Sequence, residues 1–189
     1  MYNQYMSEEK ILVFDENGNS TDTLVPRSQI HDTELWHQVI HVWVVDEKGE
    51  ILLQKRSANK KLYANVWHVS VAGHISAYDD PLDTAVRETN EEIGLPFTEK
   101  DFIFVHRTEV VQAVPETGFE DREWICVYLL KVNSSTLKIK LQQEEVVQVR
   151  WISLNEFETD IIDPKKSKMY LNHPQSYYLS TIGKIRENL

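Results

Sequence analysis

The sequence has one cysteine in 189 residues, which excludes a framework of intramolecular disulfides. It also lacks a run of 18 apolar residues, and its first residues lack the basic and apolar regions of a secretory signal. A chain of this length buries roughly 70% of its unfolded surface, so its core needs no structural metal. These absences predict a cytoplasmic protein that does not enter membranes and folds as a single domain over residues 1–189.

Positive charge is scarce as well. Lysine and arginine total 20 against 30 aspartate and glutamate residues, which gives a formal net charge of −10. This balance argues against binding of a nucleic acid polymer through its backbone charge. A small anionic ligand would need a cation to help it bind.

Apolar runs and turn residues predict a set of strands and few helices. A hairpin is expected over residues 10–27, followed by a second hairpin and a strand in the segment VWHVSVAG. Three later strands are expected in FIFVHRTEVV, WICVYLLKV and VVQVRWI. Ser153 and Glu156 form a capping-box pattern that starts a helix, and a closing helix is expected at about 174–186. The order predicts an α+β fold, an α/β/α sandwich with a mixed β-sheet between helices.

The helix after the second hairpin has a signal at each end. Asp80 is a good N-cap, Pro81 suits the first helical position, and Gly94 can close the carboxyl end. Glu88, Glu91 and Glu92 stand at i, i+3 and i+4 of this helix, beside its apolar stripe. Such an array is either a solvated acidic face or a site for a hard divalent cation such as Mg²⁺ that also binds substrate phosphates.

The surrounding string, GHISAYDDPLDTAVRETNEEIGL at residues 73–95, resembles the Nudix box. The matching positions are Gly73, Arg87, Glu88, Glu91, Glu92, Gly94 and Leu95. Asp79 stands where the family pattern has glutamate, and Thr89 takes an apolar position. The resemblance implies a Nudix fold and a pyrophosphohydrolase that requires Mg²⁺ or Mn²⁺.

The same resemblance implies roles for individual residues. Gly73, Glu88, Glu91 and Glu92 would hold the metal, whereas Asp79 and Gly94 would support the box, Asp79 through an ion pair with Arg87. Glu88, Glu91 and Arg87 are expected to be catalytic. The general base in this family often comes from a later loop, for which Glu145 enters the predicted catalytic set. The other candidates are Glu120, Asp121, Glu123 and Glu144.

A longer stretch, roughly residues 10–155, looks like the Nudix branch related to isopentenyl diphosphate isomerase. In that branch an arginine and a lysine before the box hold the diphosphate, and Arg56 and Lys60 occupy such places. The branch usually has Pro-Gly where this sequence has Ala64 and Asn65.

An isomerase is therefore one alternative function. Its pattern places a catalytic cysteine before Gly-His, but this sequence has Ala72 there, and Cys126 lies in an apolar strand. The resemblance to the isomerase branch also implies a second metal site, whose candidate ligands here are imidazoles and carboxylates: His31 or His37, together with His74, Asp121 and Glu123. A different alternative is a non-catalytic Nudix-fold sensor, which would not need the intact box carboxylates.

The favoured interpretation is metal-dependent hydrolysis of a diphosphate linkage in a nucleoside diphosphate joined to a group X, or in a related organic diphosphate. The partner is then a small-molecule diphosphate, and the sequence leaves a homodimer open. Selectivity for X is expected from residues 107–122 and 160–175, which lie outside the box.

Overall fold

The computed structural model describes residues 8–189. Its strands are β1 Lys10–Phe14, β2 Ser20–Pro26, β3 Trp36–Val45, β4 Glu50–Arg56, β5 Trp67–His68, β6 Val71–His74, β7 Phe102–Ala113, β8 Glu120–Lys131 and β9 Val146–Ser153. Its α-helices are α1 Pro81–Ile93, α2 Leu154–Ile162 and α3 Gln175–Glu187.

Strand β3 organises a mixed sheet. It runs antiparallel to β1, β4 and β6 and parallel to β8 over its whole length, from Trp36 opposite Arg122 to Val45 opposite Lys131. Strand β7 continues the sheet beyond β8, while β5 and β9 pair with β4. Strands β1 and β2 form the hairpin that opens the described chain.

Side chains of β3 alternate between two cores, as expected of a strand buried on both faces. Ile40 and Val42 join one core with Ala85 and Ile93 of α1. Trp43 joins the other core, which contains buried side chains from α2 and α3 such as Phe157 and Ile182. The predicted α/β/α sandwich with a mixed sheet is confirmed.

Helix α1 is capped as its sequence indicates. The carboxylate of Asp80 accepts a hydrogen bond from the amide of Leu82, and Pro81 is the first helical residue. Gly94 ends the helix with φ of 68°, a left-handed conformation that glycine adopts readily. These caps fix where α1 begins, and therefore where its carboxylates lie.

The segment VWHVSVAG forms two strands, β5 and β6, rather than the one strand expected. Between them, the hydroxyl group of Ser70 accepts a hydrogen bond from the backbone amide of Val44, 2.8 Å away. A side chain thus satisfies a donor of β3 that a continuous strand would pair through its backbone. None of the helices in residues 8–189 combines the length and apolar character needed to cross a membrane.

Candidate active site

Gly73 on β6 and Glu88 on α1 are in close contact. A β-carbon built on Gly73 would lie 2.7 Å from both Cγ and Cδ of Glu88. Only glycine lets the helix carboxylate approach the strand backbone this closely. Burial raises the pKa of Glu88, an effect that the neighbouring Arg87 opposes.

Arg87 lies among the carboxylates of α1. Its Nη1 is 2.8 Å from Oε1 of Glu88 and 3.2 Å from Oε2 of Glu91. The guanidinium therefore pairs with two predicted metal ligands and not with Asp79, the partner that the resemblance implied. Glu91 lies one helical turn after Arg87 and Glu88 is its chain neighbour, so the guanidinium reaches both carboxylates.

Glu92 differs from the other two carboxylates. It is only 6% exposed, although the helical pattern places it beside the apolar stripe. Its Oε2 accepts hydrogen bonds from Nε2 of Gln54 at 3.1 Å and from the amide of Ala72 at 3.4 Å. Burial, with Glu88 nearby, raises the pKa of Glu92 to about 8. A cation would favour the ionised form and so bind in competition with a proton.

A groove of about 750 Å³ reaches the box only at His74, the neighbour of Gly73, and the three carboxylates of α1 do not line it. Lys60 and Glu145 both line the groove and form an ion pair with each other. Arg27 and Lys61 add positive charge to its wall. Arg56 also borders the groove, but its Nε and Nη2 donate to backbone carbonyls of the loop that follows, 3.0 and 3.1 Å away. The guanidinium of Arg56 is therefore held by the loop, whereas the ammonium of Lys60 needs to leave only its ion pair with Glu145 to bind a phosphate.

The loop held by Arg56 ends in the turn that replaces Pro-Gly. Asn65 has φ of 63° and Tyr63 has φ of 53°, both left-handed conformations. Asparagine tolerates this conformation better than most residues, so Asn65 can take the place that glycine has in the related branch.

The structure brings the five predicted residues of the second site together. Nδ1 of His31 is 3.1 Å from Oδ1 of Asp121, and Nε2 of His37 is 3.8 Å from the same oxygen. The rings of His37 and His74 stack at 5.2 Å, and a carboxylate oxygen of Glu123 lies within 4.8 Å of ligand atoms of His37 and Asp121. This set is called the histidine–carboxylate cluster below.

The charge state of this cluster suits a cation. Burial lowers the pKa of His37 and lowers that of His74 well below its usual value, so both rings are neutral with a lone pair. Burial and the adjacent Asp121 raise the pKa of Glu123 well above the ordinary range. Among residues 8–189, Nε2 of His74 and Oε2 of Glu123 are buried without a hydrogen-bond partner. Buried atoms of this kind fit a divalent metal with imidazole and carboxylate ligands.

The remaining base candidates separate into two groups. Glu144 borders the groove with Glu145. Glu120 lies at the exposed start of β8, where it pairs with Arg122.

Residues of both predicted selectivity segments line a second cavity of about 630 Å³, next to Tyr63. The lining residues from those segments include Val111, Gln112, Glu116, Lys168, Tyr170 and His173.

The two cysteine-related positions lie on opposite faces of the sheet. Ala72 borders a small cavity with His74 and Glu123. Cys126 is buried in the core beneath α1, as its apolar strand indicates. No thiol group therefore reaches the small cavity in the part of the chain that the structure describes.

Comparison with known proteins agrees with this fold and box. The family model of the NUDIX domain matches residues 35–172. The chain belongs to the Nudix family. Together with relatives named as hydrolases, this supports an enzyme of the Nudix pyrophosphohydrolase type, and Nudix hydrolases generally use divalent metal ions.

Two relatives represent the two functions considered. Nudix hydrolase 3 of Arabidopsis thaliana is 35% identical over 157 residues, which cover 80% of this chain but 20% of that protein, so the chain spans about a fifth of that relative. Isopentenyl-diphosphate Delta-isomerase of Shigella boydii is 25% identical over 149 residues, 79% of each chain. The crystal structure of DR0079 from Deinococcus radiodurans shares the fold, with a TM-score of 0.66, 15% identity, and coverage of 86% of this chain and 100% of that one.

Sequence reasoning did not single out three other histidines. His41, His68 and His173 are buried together and line the small cavity that Ala72 borders. His41 follows His37 by four residues on one strand, and this even spacing places both side chains on the same face of the sheet. It is the one local signal in the sequence that points to this group. His173 is more than a hundred residues away, so only the tertiary structure joins it to the group.

Proposed function

We propose that this protein hydrolyses a diphosphate linkage in a nucleoside diphosphate joined to a group X, or in a related organic diphosphate, with Mg²⁺ or Mn²⁺. The observation that carries the proposal is the intact set of three carboxylates on α1, one of which packs on Gly73. The absence of a thiol at residue 72 makes hydrolysis more consistent than isomerisation with this set.

Metal binding is assigned to Glu88, Glu91 and Glu92, with the backbone carbonyl of Gly73. A bound cation would neutralise phosphate charge and supply an activated water for attack on phosphorus. Arg87, which pairs with two of these carboxylates, would keep their charges together before the metal binds. Asp79 and Gly94 remain proposed supports of the loop and helix end that set this geometry.

Substrate binding is assigned to the groove that Lys60, Glu145 and His74 line. Lys60 would bind the diphosphate as a mobile point charge, whereas the half-buried Arg56 would act mainly through the loop whose carbonyls it binds. When the ammonium of Lys60 turns toward phosphate, its ion pair with Glu145 breaks. The freed carboxylate of Glu145 is then our candidate to take a proton from the attacking water.

Isomerisation of an isoprenoid diphosphate is the second candidate function. The histidine–carboxylate cluster supports it, because the resemblance to the isomerase branch suggested these residues as metal ligands and their ligand atoms lie close to one another. However, moving a double bond needs an acid and a base beside it, and the methyl group of Ala72 can be neither.

The deciding experiment is a substrate screen with product analysis. Nucleotide sugars, dinucleotides, nucleoside triphosphates and isoprenoid diphosphates would each be incubated with Mg²⁺ or Mn²⁺, and also after exhaustive chelation. We expect metal-dependent release of a phosphorylated product from at least one diphosphate. Undiminished hydrolysis after chelation would contradict the mechanism, and isomerisation without hydrolysis would favour the second candidate.

A further inference from the structure

We infer that His41, His68 and His173 form a third, nitrogen-rich metal site that binds a transition cation such as Zn²⁺ or Fe²⁺. It shares no residue with the box carboxylates or with the histidine–carboxylate cluster, although both histidine sets line the same small cavity. We call this set the three-histidine cluster. The proposal concerns the metal content of the protein and does not depend on its substrate.

The geometry of the three rings carries the inference. One ring nitrogen of each histidine lies within 4.8 Å of a ring nitrogen of the other two. The Nε2 atoms of His68 and His173 are 3.0 Å apart. Two imidazole ligands on a tetrahedral zinc are about 3.4 Å apart, given metal–nitrogen bonds of about 2.0–2.1 Å. A small opening of this pair would therefore admit a metal ion.

The rings are held in place by elements distant in sequence. Nδ1 of His41 contacts the hydroxyl group of Tyr177 on α3, which leaves its Nε2 for a ligand. The segment that contains His173 is tied to β5, because the amide of Leu171 donates to the carbonyl of Trp67 at 2.8 Å. Trp67 is the neighbour of His68. His41 is thus oriented by a hydrogen bond to its other nitrogen, as is common in metal-binding histidines.

Burial explains why a cation suits these rings. The three side chains are between 2% and 7% exposed, and burial lowers the pKa of each, which leaves neutral imidazoles with free lone pairs. Nδ1 of His68 and Nδ1 of His173 have no partner among the described residues, a cost of about 1–3 kcal/mol for each buried polar group. Apolar side chains would pack here without that cost.

Ligand chemistry selects the kind of cation. Imidazole nitrogen suits Zn²⁺, Fe²⁺, Cu²⁺ or Ni²⁺, whereas Mg²⁺ prefers the oxygen ligands of α1. Glu123 borders the same cavity and would offset the positive charge, while Arg56 opposes it from the cavity wall. Three protein ligands leave a fourth position for water or a substrate oxygen, as in catalytic zinc sites.

Cobalt binding tests the site without an activity assay. The full chain would be stripped of metal, supplied with excess Mg²⁺ to occupy oxygen sites, and titrated with Co²⁺. Equilibrium dialysis with elemental analysis gives the stoichiometry, and visible absorption distinguishes intense four-coordinate from weak six-coordinate Co²⁺. We expect the wild type to show an intense four-coordinate spectrum.

Variants assign that spectrum. His68→Gln and His173→Gln should each lower the affinity for Co²⁺ at the four-coordinate site by about a hundredfold or more, since each removes a ligand. His106→Gln is the matched control, because His106 lies on β7 and contacts Thr181 outside both clusters. His31→Gln should leave the four-coordinate spectrum intact, because it affects only the histidine–carboxylate cluster.

A variant that keeps all three histidines is included in case the histidine variants do not fold. Tyr177→Phe removes the hydroxyl group beside His41 but no ligand, and should weaken Co²⁺ binding by about 10–100-fold. The proposal is overturned if the wild type shows no four-coordinate Co²⁺, or if folded His68→Gln and His173→Gln bind it as the wild type does. Loss of the spectrum in His31→Gln but not in His173→Gln would assign it to the histidine–carboxylate cluster. If the histidine variants bind Co²⁺ as the wild type does and change only the Michaelis constant, the three rings contact substrate and not a metal ion.

Discussion

Glu88 packs its carboxyl group against the backbone of Gly73, so closely that a β-carbon on residue 73 would lie 2.7 Å from Cδ of the glutamate. This contact joins β6 to the helix that carries the carboxylates of the proposed metal site. Packing between α1 and β6 therefore requires glycine at residue 73, whether or not its backbone carbonyl also binds a metal.

Gly73→Ala should therefore damage the site. We expect a loss of about 1–3 kcal/mol in the free energy of unfolding, because the methyl group must displace Glu88 or the strand. Activity should fall together with metal affinity. Gly183→Ala is the matched control: no atom lies within 4 Å of its added β-carbon, and alanine in place of glycine should stabilise α3. Denaturant titration and calorimetric metal binding would measure both; equal stability of Gly73→Ala and wild type would contradict the contact.

The carboxylates themselves should control turnover. Glu91→Gln or Glu92→Gln should each lower the turnover number by about a hundredfold or more, since each removes a charged metal ligand. Glu91 is half exposed, so its substitution should leave the fold unchanged. Steady-state kinetics on the substrate found by screening, with circular dichroism as the control for folding, would measure this. A fully active double variant would mean that the acidic face is only solvated surface.

Glu92 should make the stability of the metal-free protein depend on pH. Its pKa rises from 4.5 to about 8 on folding, so between these values the folded protein keeps a proton that the unfolded chain has released. The free energy of unfolding must then fall as pH rises through this range, by a few kcal/mol at most.

Comparison with a neutral variant isolates this effect. In chelator, Glu92→Gln should match the wild type near pH 4.5 and be more stable than it above pH 8. Glu91→Gln serves as the control, because it makes the same change at a half-exposed carboxylate of the same helix. Thermal melts from pH 4.5 to 9 would show this, and parallel curves for all three proteins would disprove it.

Lys60 should act on substrate binding more than on catalysis. Lys60→Met removes the ammonium group that faces the groove, and should raise the Michaelis constant about tenfold or more, as expected for a charged hydrogen bond of about 1.5–3 kcal/mol. Lys48→Met, on the exposed turn between β3 and β4, is the control with the same change. An unchanged Michaelis constant for Lys60→Met would remove Lys60 from the diphosphate site.

The wild type should not interconvert isopentenyl and dimethylallyl diphosphate, because Ala72 cannot transfer the required proton. Ala72→Cys should restore at most a trace, since the second acid–base group and the pocket shape must also be right. Incorporation of deuterium from deuterated water measures isomerisation directly. Turnover by the wild type above about 1 s⁻¹ would favour the isomerase over the hydrolase.

The sequence by itself determined the local features of this protein. The caps of α1, its carboxylate spacing and the Nudix box are patterns within about twenty residues, where helical geometry relates position to direction. The sandwich followed from the order of strands and helices.

Only the tertiary structure decided which distant residues meet. The burial of Glu92 depends on Gln54 of β4 and on the amide of Ala72, neither of which helical periodicity can predict. The three-histidine cluster joins β3, β5 and the segment before α3. Contacts over such separations arise from the packing of the whole sheet against its helices, and no local sequence pattern encodes them.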